Sequence, residues 1–393
     1  MTPPETCPSH STPDLSPEWT EEKVYISGDE FFARFKQAIA DAKNSIEIET
    51  YIFDLDPLGE DLLQLLAQAA SRGVQVRVLL DGIGASEWSQ GDAQKWALQG
   101  VEIRFFHPLP WQKHHRRFWR WPNFRWIVFG FRKLNHRDHR KLYIIDDDTA
   151  FVGSMNISAR HLESLSFAQT WRDTSVCVKG VAIEALSEAF EFSWNSSEFY
   201  KIRRHRVRKF FSQLYPKVLL KDTDFRRKIY YQSLVSRVCG ASRRLWITNP
   251  YFVPNQELLQ CIYQASSSGA DVRLLFPRNS DFFGVKYAME SYYTGLLESG
   301  ARIFEYLPSM IHAKILMVDD WVSIGSSNLD HRSLFQDLEV DIVLSREENR
   351  KLVYAHFAQD LQASQELTLT VWEKRPWNRL LLEKFFHRFR AFL

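Results

Sequence analysis

HRKLYIIDDDTAFVGSMN (139–156) and HAKILMVDDWVSIGSSN (312–328) are two versions of one pattern, and reading them together decides the fold. Each opens on His-x-Lys, runs through apolar residues to an Asp, turns, and runs through a second apolar stretch to Gly-Ser-x-Asn. Two apolar runs around a polar turn predict strand–turn–strand. The polar residues are His139, Lys141, Asp146, Gly153, Ser154 and Asn156 in the first copy, and His312, Lys314, Asp319, Gly325, Ser326 and Asn328 in the second. The second turn is one residue shorter. Six specified residues in one such arrangement arise by chance in well below one in about 10⁵ chains of average composition, so two copies are not accidental.

Working outward, the repeat extends over most of the 393 residues. IEIETYIF (46–53), GEDLLQLLAQAASRG and VQVRVLLD (74–81) match LWITNPYF (245–252), QELLQCIYQASSSG and ADVRLLFP (270–277). Each is strand, amphipathic helix, strand, the unit of a parallel sheet covered by helices. QGVEIRFFHPLP (99–110) then matches SGARIFEYLP (299–308). The fold expected is α/β: two similar halves, each a mixed, mostly parallel sheet flanked by helices. The predicted boundaries are a disordered tail over 1–21, a first half over 22–200 with a basic aromatic insertion at 111–135, a linker over 201–225, a second half over 226–370, and an amphipathic C-terminal helix over 371–393.

On a strand, residues two apart share a face, so His139 and Lys141 point together, as do His312 and Lys314. Asp146 and Asp319 fall on the opposite parity, and a turn or strand-end role suits them as well as direct chemistry. The glycines permit close backbone approach, to a ligand on this reading, and the Ser and Asn beyond them offer neutral donors to phosphate oxygens. Phosphodiester transfer needs a nucleophile, an acid for the leaving group, and cations on the non-bridging oxygens. Two His and two Lys make that set, and neither half has it alone.

Composition limits the rest. The chain is 45% hydrophobic with a formal net charge of +2, ample for real cores. Cys7, Cys177, Cys239 and Cys261 are scattered without CxxC spacing and read as ordinary thiols of a reducing compartment. MTPPETCPSHSTPDLSPEWT (1–20) lacks a secretory pattern and reads as a cytosolic tail. No apolar run approaches the roughly 18–20 residues of a spanning helix, so membrane contact is expected to be peripheral. Basic residues concentrate at 113–141, 201–209 and 374–390 among Trp and Phe, which suggests an anionic partner.

Both segments resemble the HxKx4D…GSxN motif of the phospholipase D superfamily, over nearly all of residues 22–370. The resemblance implies one site shared by two halves around a pseudo-two-fold axis. It also implies a covalent phosphohistidine on one His, acid/base chemistry on the other, and no metal or cofactor. His139 and His312 carry over as nucleophile and acid/base, with His139 favoured as nucleophile although the repeat offers no physical reason to choose. Lys141, Asp146, Lys314 and Asp319 carry over with them as catalytic residues, and Ser154, Asn156, Ser326 and Asn328 as phosphate-binding residues. A carboxylate should orient each His. Asp173 in TWRDTSV and Glu339 in QDLEVDIV are the candidates, with Glu49 and Asn249, at the ends of the opening strands, behind them.

Substrate is the open choice among lipid and nucleic-acid phosphodiesters. WQKHHRRFWRWPNFRWIVFGFRKLN (111–135) has the composition of a membrane interface. Stacking on single-stranded nucleic acid and a buried subdomain are the rivals there. In PWNRLLLEKFFHRFRAFL, Trp377, Leu381, Phe385 and Phe389 recur every four residues among Arg and Lys, a pattern for a helix lying in a bilayer surface or docking on the protein itself. GSSNLDHRSLFQDLEVDI (325–342), DLDPLGEDL, VRVLLDGIGA (76–85) and WRD (171–173) are similar to the short, B-type bacterial cardiolipin synthases. Asp337 departs from that family, which usually has Asn there. The resemblance implies phosphatidyl transfer from one phosphatidylglycerol to another with release of glycerol, at an anionic membrane on the cytoplasmic face of the bacterial inner membrane, with no nucleic acid as partner. A lipid hydrolase or other phosphatidyltransferase, a nuclease, and a non-catalytic membrane-binding relative are the alternatives. Two complete half-sites argue against the last.

Overall fold

The computed structural model describes residues 19–112, 136–198 and 215–390. Residues 1–18 of the expected tail, nearly all of the 111–135 insertion and the first part of the 201–225 linker lie outside the described residues; the last residues assigned to the tail are ordered, with Trp19 buried and Glu21 opening the first strand.

The first half comprises β1 (Glu21–Tyr25), α1 (Gly28–Asp41), β2 (Ser45–Thr50), α2 (Pro57–Ser71), β3 (Gln75–Asp81), α3 (Gln90–Ala97), β4 (Val101–Phe106), β5 (Lys141–Ile145), β6 (Thr149–Gly153), β7 (Ser175–Lys179) and α4 (Ile183–Glu198). Local chemistry explains α2. Asp56 caps it by accepting the Gly59 N–H at 3.0 Å, Pro57 stands in its first turn, and Leu58, Leu62, Leu63, Leu66 and Ala69 form its buried stripe. Burying each of those leucines stabilises the fold by about 1.5–3 kcal/mol. Just past the helix, Gly73 takes a φ of +93°, which side chains disfavour; Gly269 does the same at the equivalent point of the second half.

The second half comprises β8 (Val218–Leu220), α5 (Asp224–Cys239), β9 (Arg244–Thr248), α6 (Gln256–Ser267), β10 (Asp271–Pro277), α7 (Phe283–Glu290), α8 (Tyr293–Glu298), β11 (Arg302–Tyr306), β12 (Ile315–Val318), β13 (Trp321–Gly325), α9 (His331–Phe335), β14 (Val340–Val343), α10 (Glu347–Gln362), β15 (Ser364–Leu367) and α11 (Trp377–Arg388). The strand orders are β1-β7-β6-β5-β2-β3-β4 and β15-β11-β10-β9-β12-β13-β14-β8. Setting aside β1, β8 and β15 at the edges, they are the same order twice. Both sheets are mixed, but parallel pairing is confined to β2–β3–β4 and β9–β10–β11. The remaining pairings are antiparallel, so the expectation of mostly parallel sheets holds only for the strand–helix–strand units. A hairpin carrying each half-site cannot pair any other way.

The sheets pack face to face. Leu142, Ile144, Val152 and Val176 share one core with Ile315, Met317, Ile324, Val340 and Ile342. Helices α1 and α2 cover the far side of the first sheet, α5 and α6 that of the second. Two short parallel bridges, Asp138 to Leu338 and Arg172 to Ile311, stitch the halves together beside the half-sites.

Three expectations are revised. The second half begins earlier than residue 226, because β8 pairs with β14 and α5 starts at Asp224. The C-terminal helix begins at Trp377, where Pro376 ends the preceding turn, and not at 371. Cys239 and Cys261 are not free thiols but a disulfide, with Cα atoms 4.5 Å apart. They meet because α5 and α6 lie side by side, which no local cysteine spacing reveals. Cys177 is free and buried.

Candidate active site

His139 and His312 line one cavity of about 310 Å³ at the seam of the two halves, with Asn156, Asn328, Tyr51, Tyr251, Arg160, Arg332, Trp171, Asp330 and Asp337 in its walls. Each histidine directly follows a cross-half bridge residue, Asp138 or Ile311, and each backbone N–H donates across the seam: His139 to the Leu338 carbonyl at 3.0 Å, His312 to the Arg172 carbonyl at 2.8 Å.

The orienting carboxylates are exchanged between the halves. His139 Nδ1 meets Glu339 Oε1 at 3.0 Å, and His312 Nδ1 meets Asp173 Oδ2 at 2.9 Å. Both carboxylates were legible as candidates; their crossing was not. Ser154 donates its hydroxyl to Asp173 and Ser326 donates to Glu339, so both serines, expected on the substrate phosphate, instead hold the carboxylates. They are fully buried behind the histidines. His161 Nδ1 lies 3.4 Å from Asp173, and the Ser333 hydroxyl donates to Glu339 at 2.6 Å.

The glycines have a different role from the one expected. A Cβ on Gly153 would fall 2.5 Å from Ser175 Cα, and one on Gly325 would fall 2.5 Å from Asp341 Cα. Their missing side chains admit the neighbouring strand, not a ligand, and that strand follows the carboxylate.

Lys141 and Lys314 are buried, each donating to the carbonyl of its own histidine, at 2.6 and 2.7 Å. Lys314 Nζ also lies 2.8 Å from His312 Nε2. Burial lowers Lys141 to about 8 and Lys314 to about 7. Burial and then the Lys314 charge push His312 down to about 3, and burial with both lysines lowers His139. Burial raises Glu339 to about 7 against the pull of Lys221 and Lys141. Burial would raise Asp173 too, but His312, His161 and Lys314 hold it well below the usual carboxylate range.

Asp146 and Asp319 are not in the cavity. Asp146 accepts from the backbone N–H groups of Lys43, Asn44 and Ser45, the last two at 2.6 and 2.9 Å. Asp319 does the same for Ser242, Arg243 and Arg244. Both adopt a positive φ, 53° and 51°. They clamp the loop entering β2 or β9 and so act on the fold. Glu49 is also outside the cavity, buried against Arg140 at 2.6 Å, and Asn249 bonds the 251 and 327 backbones below the pocket. Sequence reasoning missed Tyr51 and Tyr251, which close the opening strands and set their rings 5.0 and 6.3 Å from His139 and His312. The repeat gave no signal for them, because it puts Pro250 opposite Tyr51 and Ile52 opposite Tyr251. It also missed Arg160 and Arg332, each four residues past the motif Asn.

Fold and site together define a phospholipase D-type phosphatidyltransferase. The model of the cardiolipin synthase, phospholipase D-like domain matches residues 35–194 and again 234–361. The chain belongs to that family of cardiolipin synthases. A cardiolipin synthase of Halalkalibacterium halodurans is 32% identical over 378 residues, covering 93% of this chain and 70% of its own. One of Alkalihalophilus pseudofirmus is 30% identical over 376 residues with the same coverage. The crystal structure of a phosphatidylserine synthase from Haemophilus influenzae has the same fold, with a TM-score of 0.70 over 95% of each chain at 15% identity.

Proposed function

We propose that the enzyme makes cardiolipin from two phosphatidylglycerol molecules by two displacements at one phosphorus. His139 attacks the donor phosphorus through Nε2, the bond to glycerol oxygen breaks, and His312, whose proton Asp173 and the bound phosphodiester's negative charge retain against burial and Lys314, gives that proton to the oxygen. The phosphatidyl group is then held on His139. A second phosphatidylglycerol presents a glycerol hydroxyl, His312 takes its proton, the new P–O bond forms and the P–N bond breaks. Lys141 and Lys314, with the Asn156 and Asn328 amides, neutralise the non-bridging oxygens. Asp173, held ionised, stabilises the His312 imidazolium, and Glu339 fixes the tautomer of His139.

The observation that carries this reading is the pair of imidazoles in one cavity, each Nδ1 held by a carboxylate of the opposite half. Roles are assigned from their difference. His312 Nε2 is engaged by Lys314, while the His139 side chain is the more open, 13% exposed against 5%.

The surface supports membrane association. No helix among the described residues is long and apolar enough to cross a bilayer. Trp377, Leu381 and Phe385 on α11, and Phe389 at its C-cap, are 74, 56, 57 and 44% exposed. The other side of α11 docks on α7 through Phe386 against Phe283 and Tyr287, and through Arg379 to Glu290 at 2.5 Å. Docking and an outward apolar stripe thus coexist on one helix. Phe282, just before α7, lines the cavity and is 53% exposed, so the helix on which α11 docks begins at the cavity wall. Such a face suits the surface of an anionic phospholipid membrane.

Mass spectrometry of products from phosphatidylglycerol vesicles tests the reaction. Diphosphatidylglycerol and glycerol are expected from the wild type and neither from His139→Ala. Phosphatidic acid as sole product would make the enzyme a hydrolase.

A further inference from the structure

The cavity carries a second pair of cations whose surroundings break the repeat symmetry. Arg160 and Arg332 are equivalent, each four residues after the motif asparagine, and both line the cavity. The matching bridges Phe53 to Ile157 and Phe252 to Leu329 confirm the register of the two segments. Around Arg332 the walls are acidic. Asp337 lies 3.4 Å from its Nε, and Asp330 faces the same cavity. The equivalents around Arg160 are neutral: Trp171 replaces Asp337, two residues before the orienting carboxylate, and Ser158 replaces Asp330.

Arg160 is correspondingly open. Its guanidinium sits over the Trp171 ring at 5.5 Å, its ion-pair partner Asp54 is 3.9 Å away, and its side chain is 56% exposed. The Trp171 ring in turn lies 5.1 Å from that of His312. Arg160 is therefore on the His312 side of the pocket, where the alcohol leaves and the acceptor enters. Arg332 is on the other side, where its charge acts on His139 and Tyr51.

We propose that Arg160, stacked on Trp171, is the subsite for the phosphodiester of the acceptor lipid, and so favours a phosphorylated glycerol over free glycerol or water. The inference rests on the transferase reading above. The acceptor differs from the departing glycerol by the phosphate on its far end, and a cation beyond His312 recognises that difference. Across the pocket, Asp330 and Asp337 beside Arg332 oppose a second anion, whereas Asp281, which lines the cavity on the His312 side, is held by the Tyr251 hydroxyl at 2.6 Å. The donor's own phosphate is met by the lysines, so Arg160 acts on partition of the intermediate more than on its formation.

The test uses the full chain on phosphatidylglycerol vesicles with deuterated glycerol in solution. Diphosphatidylglycerol and deuterated phosphatidylglycerol then report lipid and glycerol capture of one intermediate. Arg160→Gln is expected to lower the ratio of the first to the second about tenfold, as loss of a charge-assisted contact implies. Arg160→Lys, which keeps the charge, should stay nearer the wild type and guards against a folding defect. A ratio within twofold of wild type in Arg160→Gln, or an equal fall in Arg332→Gln, would overturn the subsite. Wild-type enzyme forming neither product would instead remove the transferase reading, and the inference with it.

Discussion

Among single residues, the structure separates two kinds of aspartate, one that orients a histidine and one, the motif's own, that does not. Asp173 touches His312, whereas Asp146 ties down a loop. Asp173→Asn should lower kcat by about 10²–10⁴-fold with a nearly unchanged unfolding midpoint, since the amide holds the imidazole but cannot support its charge. Asp146→Asn should cost about 1–3 kcal/mol in urea unfolding while the folded fraction keeps its turnover. The reverse pattern would exchange their roles. Acidity adds a second expectation. Lys314 and Lys141 lose their protons as pH rises through about 7 and 8, and phosphate binding weakens with them. Glu339 is protonated as pH falls through about 7, weakening its hold on His139. Thus kcat/KM should fall on both sides of a maximum near pH 7, and a flat profile from 6 to 9 would contradict it. Much of this was legible: strand parity already set Asp146 and Asp319 apart from their histidines. The partners of Asp173 and Glu339 were not legible, because they depend on how two sheets some 200 residues apart in sequence are brought face to face, which no local pattern encodes.

At the scale of elements, α11 shows how one short helix serves two surfaces. Its four-residue stripe was readable, but the sequence left open whether it faces the protein or a bilayer. Docking instead uses Phe386, Arg379 and His387, the last accepting or donating to Ser291 at 2.9 Å. The triple change Trp377→Ser, Leu381→Ser, Phe385→Ser should therefore spare the fold and weaken binding to anionic vesicles by roughly 100-fold or more, from the apolar area withdrawn. Sedimentation with phosphatidylglycerol liposomes measures it, and unchanged partitioning would show that the membrane is met elsewhere. The hairpins β5–β6 and β12–β13 were readable down to their turns. The edge strand β8 was not, since three residues in a basic stretch carry no periodicity of their own.

For the whole molecule, duplication was evident from the repeated order of elements, and the shared pocket follows from sheets that pack through one core. Both imidazoles and both carboxylates of the pocket come from a single chain. An equimolar mixture of full-length His139→Ala and His312→Ala should then recover no diphosphatidylglycerol synthesis; recovery would mean that pockets assemble between chains.

The exchange of carboxylates also sets a timetable for the enzyme's birth. Translation delivers His139 long before Glu339, and Asp173 long before His312. A nascent chain meeting a bilayer early therefore holds His139 without the carboxylate that orients it, and Asp173 without the imidazole it serves. Chemistry becomes competent only once the strand after Glu339 has been made and paired, so a chain interrupted before it holds an unoriented His139.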